Sequence, residues 1–260
     1  MNKWIGFNYK DEANLFGILD GDYVNEYEGD IFENPKTTGR KIPFNNVQLQ
    51  APLQPNSIFA LWNNFHERAE KEGQTIPHVP LYFMKPLTSV IGPEQTIYRP
   101  LGHQGRVIFE AELGIVIGSK CRKVSESEAA EYIFGYTCVN DVTAIEFLFE
   151  DKAFQQWTRS KGYDTFTPIG PCIATGIDTD VMRVKALQSG ETRQDYPVSD
   201  MIFSPKQIVS MLSHCQTLIP GDLICCGTSV GARTMKPGTK IDIVIPDIGT
   251  LSNPFDDLTD

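Results

Sequence analysis

The chain has 260 residues, 41% hydrophobic and 22% charged, with a formal net charge of -10 at pH 7. This is the profile of a folded protein built as one large domain, or as a main domain with a small appendage, and it excludes a disordered or fibrous chain. No cluster of Lys and Arg offsets phosphate repulsion, so nucleic acid is excluded as a partner, and an anionic substrate needs a local cation to invert the potential at its site.

No apolar run approaches the roughly 18 residues of a membrane span, and Asp11 and Glu12 interrupt any secretory h-region. No membrane association is expected, and the expected location is the cytoplasm. Cys121, Cys138, Cys172, Cys215, Cys225 and Cys226 show no CxxC spacing and stand in apolar surroundings, so reduced, buried thiols are expected.

Residues 1–52 mix short strand-like pieces (WIGFNY, LFGIL) with an acidic, Gly-containing segment, and read as a small N-terminal β-rich appendage. Asp20, Asp22, Glu28 and Asp30 do not form a calcium loop, because Val24 stands at the third ligand place with no glycine after it. Pro52 and Pro55 punctuate the chain and place a boundary there, with the main domain over 53–260. SIFALW then reads as a strand and HERAEKEGQ as a short helix closed by Gly73. The run VIFEAELGIVIG is strand-like. SESEAAEYIFG opens on a capping box, Ser125 with Glu128, and reads as a helix closed by Gly135. YTCVND, PIGPCIAT and MRVKALQ read as strands, the last joined to ETRQDYPV by a hairpin turn at Ser189-Gly190. PKQIVSMLSH is a helix with proline in its first turn, and DLICCGTS and KIDIVIPDIG close the chain as strands. Strands outnumber short helices, which predicts a mostly-β (α+β) fold of packed sheets, and the absence of GxGxxG and GK[ST] argues against a dinucleotide or phosphate loop.

The stretch IFEAELGIVI carries two carboxylates inside an apolar strand. Alternation puts Glu110 and Glu112 on one face, roughly 7 Å apart by the strand rise. Burying them costs several kcal/mol each unless a positive group sits between them. Asp141, at the end of YTCVND, is placed as a third, strand-terminal ligand. Three carboxylates without His or Cys form a hard, oxygen-only set that suits magnesium, manganese or calcium.

The blocks E-x-E-L with its following IG (Glu110 to Gly118), FGYTCVNDVTA, KGYDTFTPIGP, LIPGDLICCGTS and IGTLSNP together resemble the fumarylacetoacetate hydrolase family over about residues 55 to 254. The resemblance implies a mixed β-sandwich roll, a homodimer, and Mg2+ or Mn2+ held by Glu110, Glu112 and Asp141. It implies Lys161, in K-x-x-D-T, as a catalytic and substrate-holding cation, and Thr228, in the place of the T-G-T-P threonine, as a substrate-binding hydroxyl, with Ser229 replacing the proline. It places His66 on the histidine of the N-Y-x-x-H lid segment, which works with a glutamate three residues on to activate water. Trp62 and Asn63 then stand at the asparagine and tyrosine places, Ala69 at the glutamate's, and Glu70 is the substitute partner for His66 on one helical face. After Asp141 the family run A-R-D-x-Q becomes Ala144, Ile145, Glu146, Phe147 and Leu148, which loses an arginine and points to a less polar substrate tail. His78, His103 and His214 have no matching partner.

The chemistry so implied is a divalent-metal-dependent hydrolysis of carbon–carbon bonds in 2,4-dioxo acids of the acylpyruvate or fumarylpyruvate type, the metal gripping the 2-oxo carboxylate and stabilising the pyruvate enolate. The alternatives are a decarboxylase or isomerase of 2-oxo or 2-hydroxy-diene dicarboxylates, of the oxaloacetate or hydroxyheptadienedioate type, and a non-enzyme with a structural metal or a small-acid binding role.

Overall fold

The computed structural model describes residues 1–258, and two sheets carry the architecture. The larger runs from its edge through Lys36–Pro43, Tyr23–Glu28, Glu12–Asp20, Asn2–Tyr9 and Thr167–Thr175, then Ile133–Asn140, Ala111–Ile117, Leu223–Cys225, Ile58–Trp62 and Leu81–Met84. The pairing is mixed: Leu223–Cys225 runs parallel to Ile58–Trp62, whereas Ala111–Ile117 is antiparallel to both its neighbours. The smaller sheet orders Glu191–Pro197, Arg183–Gln188, Thr239–Ile245, Gly249–Asp257 and Ile97–Arg99. Its inner strands pack across Ala111–Ile117, Ile133–Asn140 and Thr167–Thr175. The result is a mixed β-sandwich with short helices, the mostly-β class expected.

The central strand Ala111–Ile117 is buried throughout, because both of its faces are covered. Ala111, Leu113, Ile115 and Ile117 join the core between the sheets, with Val184, Ile241 and Leu251. Val116 points the other way and packs with Ile58, Val139 and Leu223. Glu112 has the parity of Val116, so it lies on the face turned away from the smaller sheet.

The N-terminal strands extend the main sheet: Asn2–Tyr9 pairs antiparallel with Thr167–Thr175. The hairpin at Ser189-Gly190 forms with both residues at positive φ, 51° and 85°, which is the turn that matches strand twist. The helix Pro205–Cys215 starts on Ser204, whose side chain accepts from the Gln207 N–H while Gln207 reaches back to the Ser204 N–H.

Two segments differ from expectation. The capping box at Ser125 is present, but the α-helix covers only Glu126–Ala129, and Gly135 lies inside the strand Ile133–Asn140. A Cβ on Gly135 would come within 2.5 Å of the Ala174 carbonyl oxygen. This glycine therefore permits close strand approach and does not end a helix. The run 107–117 is not one strand but two, Val107–Ile108 and Ala111–Ile117, interrupted at Phe109 and Glu110. All six cysteines are free, and five are buried, while Cys215 is exposed. Among the described residues no helix is long and apolar enough to cross a membrane.

Candidate active site

The break at Phe109 and Glu110 is what gathers the carboxylates. The antiparallel register pairs Ala111 with Asn140 and Glu112 with Val139, and one further step puts Glu110 opposite Asp141. There the ladder is replaced by specific bonds: the Glu110 N–H donates to the Asn140 side-chain oxygen at 3.0 Å, and the Asp141 N–H donates to the Glu110 carbonyl at 2.9 Å. Glu110, Glu112 and Asp141 are all buried, and one carboxylate oxygen from each lies within 4.8 Å of the others. A turn closes over the third. The Gly227 N–H donates to Glu112 Oε2 at 2.8 Å, from a residue at φ 86°, a backbone conformation that favours glycine.

Three cations face this cluster. Lys161 Nζ, at the end of the helix Trp157–Lys161, lies 2.5 Å from Glu110 Oε2 and 2.6 Å from Asp141 Oδ2. Lys85, fully buried, bonds the other Asp141 oxygen and also donates to the Phe166 carbonyl at 2.8 Å. Arg68 reaches Glu110 Oε1 at 2.9 Å. Burial opposes the charge on Lys161, yet Asp141, Glu110 and Glu112 together hold its ammonium above the ordinary lysine range. Burial likewise works against an ionised Glu110, but Lys161 and then Arg68 outweigh it and hold the carboxyl down to about 2.

Glu112 differs. Among the described residues no basic side chain pairs with it. Burial first, then the charges of Asp141 and Glu110, push its carboxyl well above the usual range. A buried carboxylate with one N–H donor and two anionic neighbours lacks a cation. The three converging oxygens fit a hard divalent ion, which would be held by Glu110, Glu112 and Asp141.

Glu110 and Glu112, with Lys161, form the floor of a cavity of about 310 Å³. Thr228 lines it, and its Oγ1 accepts from Gln194 Nε2 at 2.9 Å and lies 3.4 Å from the Tyr196 hydroxyl, whose own hydrogen goes to the Ala111 carbonyl, so the threonine O–H is directed to Tyr196 or, on rotation, to a ligand. Gln194 also accepts the Ala111 N–H at 3.0 Å, so one side chain from the smaller sheet ties the threonine loop to the carboxylate strand.

The helix His66–Glu72 stands at the mouth. Its Arg68 and Glu72 line the cavity and pair with each other at 3.0 Å, whereas His66 and Glu70 are exposed and do not line it. Two residues are about 200° of helical rotation, so the pair His66 and Glu70 and the pair Arg68 and Glu72 occupy opposite sides. The rotation is set by Phe65 and Ala69, both buried, with Phe65 edge-on to Tyr196 at 4.8 Å between ring centroids.

Glu110, Glu112, Asp141, Lys161 and Thr228 are thus brought together, while His66 and Glu70 stand apart from them. Sequence reasoning overlooked Lys85, Arg68 and Gln194. The apolar i, i+4 pair Phe65 and Ala69 could have set the helix face and so located Arg68. Lys85, in an extended proline-broken segment, carries no such signal. His103 packs on Phe147, with 4.5 Å between ring centroids, away from the cluster.

The sequence and the fold agree with known proteins. The family description "Fumarylacetoacetate (FAA) hydrolase C-terminal" matches residues 57–256, and "Rv2993c-like, N-terminal" matches residues 2–52. The chain belongs to the fumarylacetoacetate hydrolase family. An uncharacterized protein of Archaeoglobus fulgidus is 40% identical over 236 residues, 91% of each chain. The "4-hydroxyphenylacetate degradation bifunctional isomerase/decarboxylase" of Salmonella dublin is 34% identical over 85% of this chain and 52% of its own length. The crystal structure of 2-hydroxyhepta-2,4-diene-1,7-dioate isomerase from Mycobacterium marinum superimposes with a TM-score of 0.91 at 33% identity, covering all of both chains.

Proposed function

We propose that this protein is a divalent-metal-dependent enzyme that acts on a 2-oxo acid through its enolate, moving a proton or releasing carbon dioxide without attack by water. The observation that carries the reading is the occupancy of the cavity mouth. Among the described residues that line the cavity none is a histidine, and the helix presents Arg68 instead. Setting the family's N-Y-x-x-H segment two residues further along puts Asn64 and Phe65 on the asparagine and aromatic places. Arg68 then takes the histidine's place and Lys71 the glutamate's. A guanidinium stays protonated and cannot take a proton from water.

When bound, Mg2+ or Mn2+ supplies the charge that Glu112 lacks and stabilises negative charge on the 2-oxo oxygen as a Lewis acid. The chain's own groups do the rest. The Lys161 ammonium, kept charged by its carboxylate neighbours, favours an enolate over the neutral ketone beside it. The Thr228 O–H, oriented by Gln194, donates to the substrate carboxylate. Arg68 adds a second fixed cation at the open side. Decarboxylation needs only this enolate stabilisation, proton movement needs in addition a base, for which the Glu72 carboxylate lines the cavity, and the names of the Mycobacterium marinum and Salmonella dublin proteins lend support to such chemistry.

Hydrolysis of acylpyruvates is the second reading. It is favoured by Glu72, a carboxylate on the same helix that lines the cavity with its side chain 44% exposed and in reach of water. The test incubates the purified protein with Mg2+, then Mn2+, against a 2-hydroxydienedioate, oxaloacetate and an acylpyruvate, following diene absorbance, carbon dioxide and pyruvate separately. A diene shift or carbon dioxide without acyl cleavage is the expected result. Equimolar release of pyruvate and a carboxylic acid as the dominant activity overturns it in favour of hydrolysis.

A further inference from the structure

The cavity has a charged floor and an aromatic side wall, and one short helix joins them. Trp157 and Lys161 are the first and last residues of Trp157–Lys161, four apart and so on one helical face. Lys161 reaches the carboxylates, while Trp157 packs against Phe83 at 5.5 Å between ring centroids, nearly parallel at 24°, and against Trp62 at 5.6 Å. The two halves touch: Lys161 Nζ lies 5.7 Å from the centre of the Phe83 ring. Ile145 and Leu148 line the same space.

The charges near this wall are already matched. Arg68, the one guanidinium among the described lining residues, is shared between Glu110 at 2.9 Å and Glu72 at 3.0 Å. A second substrate carboxylate entering along the wall would meet indole and benzene faces and branched alkyl groups, with no unpaired cation to receive it. The neutral amides of Gln74 and Gln155 also line the cavity, and they offer hydrogen bonds without the countercharge that a buried carboxylate needs. An apolar or planar tail would instead replace water on these surfaces.

We infer that the substrate is a 2-oxo acid with a single carboxylate and an apolar tail, aryl or alkenyl, lying against Trp62, Phe83 and Trp157. This rests on the 2-oxo acid reading above and narrows it to its proton-transfer branch, since loss of carbon dioxide to an enolate needs a carboxylate at C4 that a substrate with one carboxylate does not carry; the dioate in the name of the Mycobacterium marinum enzyme carries two. Ile145 offers an alkyl side chain to this space, and no charge.

The test is a binding series on the whole protein in Mg2+, read by tryptophan fluorescence and calorimetry and independent of turnover. The ligands are pyruvate, 2-oxoglutarate, 5-methyl-2-oxohexanoate, which replaces the distal carboxylate by an isopropyl group, and 4-phenyl-2-oxobutanoate. Each buried methylene strengthens binding by about fourfold, so the two apolar ligands are expected to bind at least about tenfold more tightly than 2-oxoglutarate. Trp157→Ala should cut the ratio of phenyl ligand to pyruvate affinity by about fivefold or more, and Ile145→Arg should shift preference towards 2-oxoglutarate. If pyruvate binds but 2-oxoglutarate equals or exceeds the apolar ligands on the unaltered protein, the tail assignment is overturned and the 2-oxo acid reading stands. If no ligand binds in Mg2+, both fall.

Discussion

Asp141 stands directly across from Glu110, its N–H 2.9 Å from the Glu110 carbonyl, and the two side chains share the Lys161 ammonium. A strand end and a strand break thus face each other with one cation between their carboxylates. Removing that cation leaves three buried carboxylates with only Lys85, on Asp141, and Arg68, on Glu110, to balance them. Lys161→Met should therefore lower stability by about 3–5 kcal/mol in EDTA, measured by urea unfolding. Saturating Mg2+ should restore more stability to the variant than it adds to the unaltered protein, because the ion then supplies the missing charge. A loss below about 1 kcal/mol in EDTA would mean that the ammonium is not what holds the cluster together.

Acid should act on the metal-free protein through Glu110. Its carboxyl is held at about 2 in the fold: burial would raise it, but Lys161 and Arg68 outweigh burial. The unfolded chain therefore binds this proton more readily than the folded one. The stability that the group contributes, roughly 3 kcal/mol, is complete above about pH 4.5 and lost as the pH falls towards 2. Urea midpoints in EDTA at pH 5 and pH 3 should show the unaltered protein losing about 2 kcal/mol more than Glu110→Gln over that interval. Equal losses would remove Glu110 as the source.

Arg68 and His66 make a second contrast. Arg68 touches Glu110 and lines the cavity, whereas His66 faces solvent. Arg68→Leu is expected to reduce kcat/KM by about a hundredfold or more, as loss of a fixed charge beside a developing anion does. His66→Ala and Glu70→Ala should each stay within about twofold of the unaltered protein, in line with exposed side chains remote from the chemistry. A large loss of kcat in His66→Ala would restore the water-activating lid histidine and with it the hydrolytic reading.

Glu112 should behave oppositely with and without metal. Burial, then the charges of Asp141 and Glu110, raises its carboxyl well above the usual range, so the metal-free protein loses stability as the pH rises through that raised value. Glu112→Gln should leave the metal-free protein at pH 8 as stable or more so, since it deletes an uncompensated charge. The same variant should abolish the rise in Tm that Mg2+ gives the unaltered protein. A retained Mg2+ shift would remove Glu112 from the ligand set.

Much of the site is legible because strand chemistry is local. Two residues apart means one face, so Glu110 and Glu112 can be read as partners without any fold, and Asp141 follows an apolar run whose end is marked by its own polarity. The strand break at Phe109 and Glu110 is less visible. It depends on the Asn140 side chain replacing a ladder bond, and nothing in the Glu110 segment specifies that partner. The helix expected to reach Gly135 fails for a related reason. Its capping box is real, but the residues after Ala130 are drawn into the sheet, where Gly135 lets the Ala174 carbonyl approach.

The amino-acid order by itself determined the sandwich class, the strand that carries two carboxylates, and the hard-ligand character of the three acids, because alternation, turn residues and ligand chemistry act over a few neighbouring residues. Only the tertiary structure decided which side of the helix His66–Glu72 looks inward, that Lys85 and Gln194 come to the cluster from distant segments, and that Trp62, Phe83 and Trp157 meet as one wall. A helix exposes every side chain to some direction, and its rotation is chosen by what its buried residues, here Phe65 and Ala69, find to pack against elsewhere in the chain.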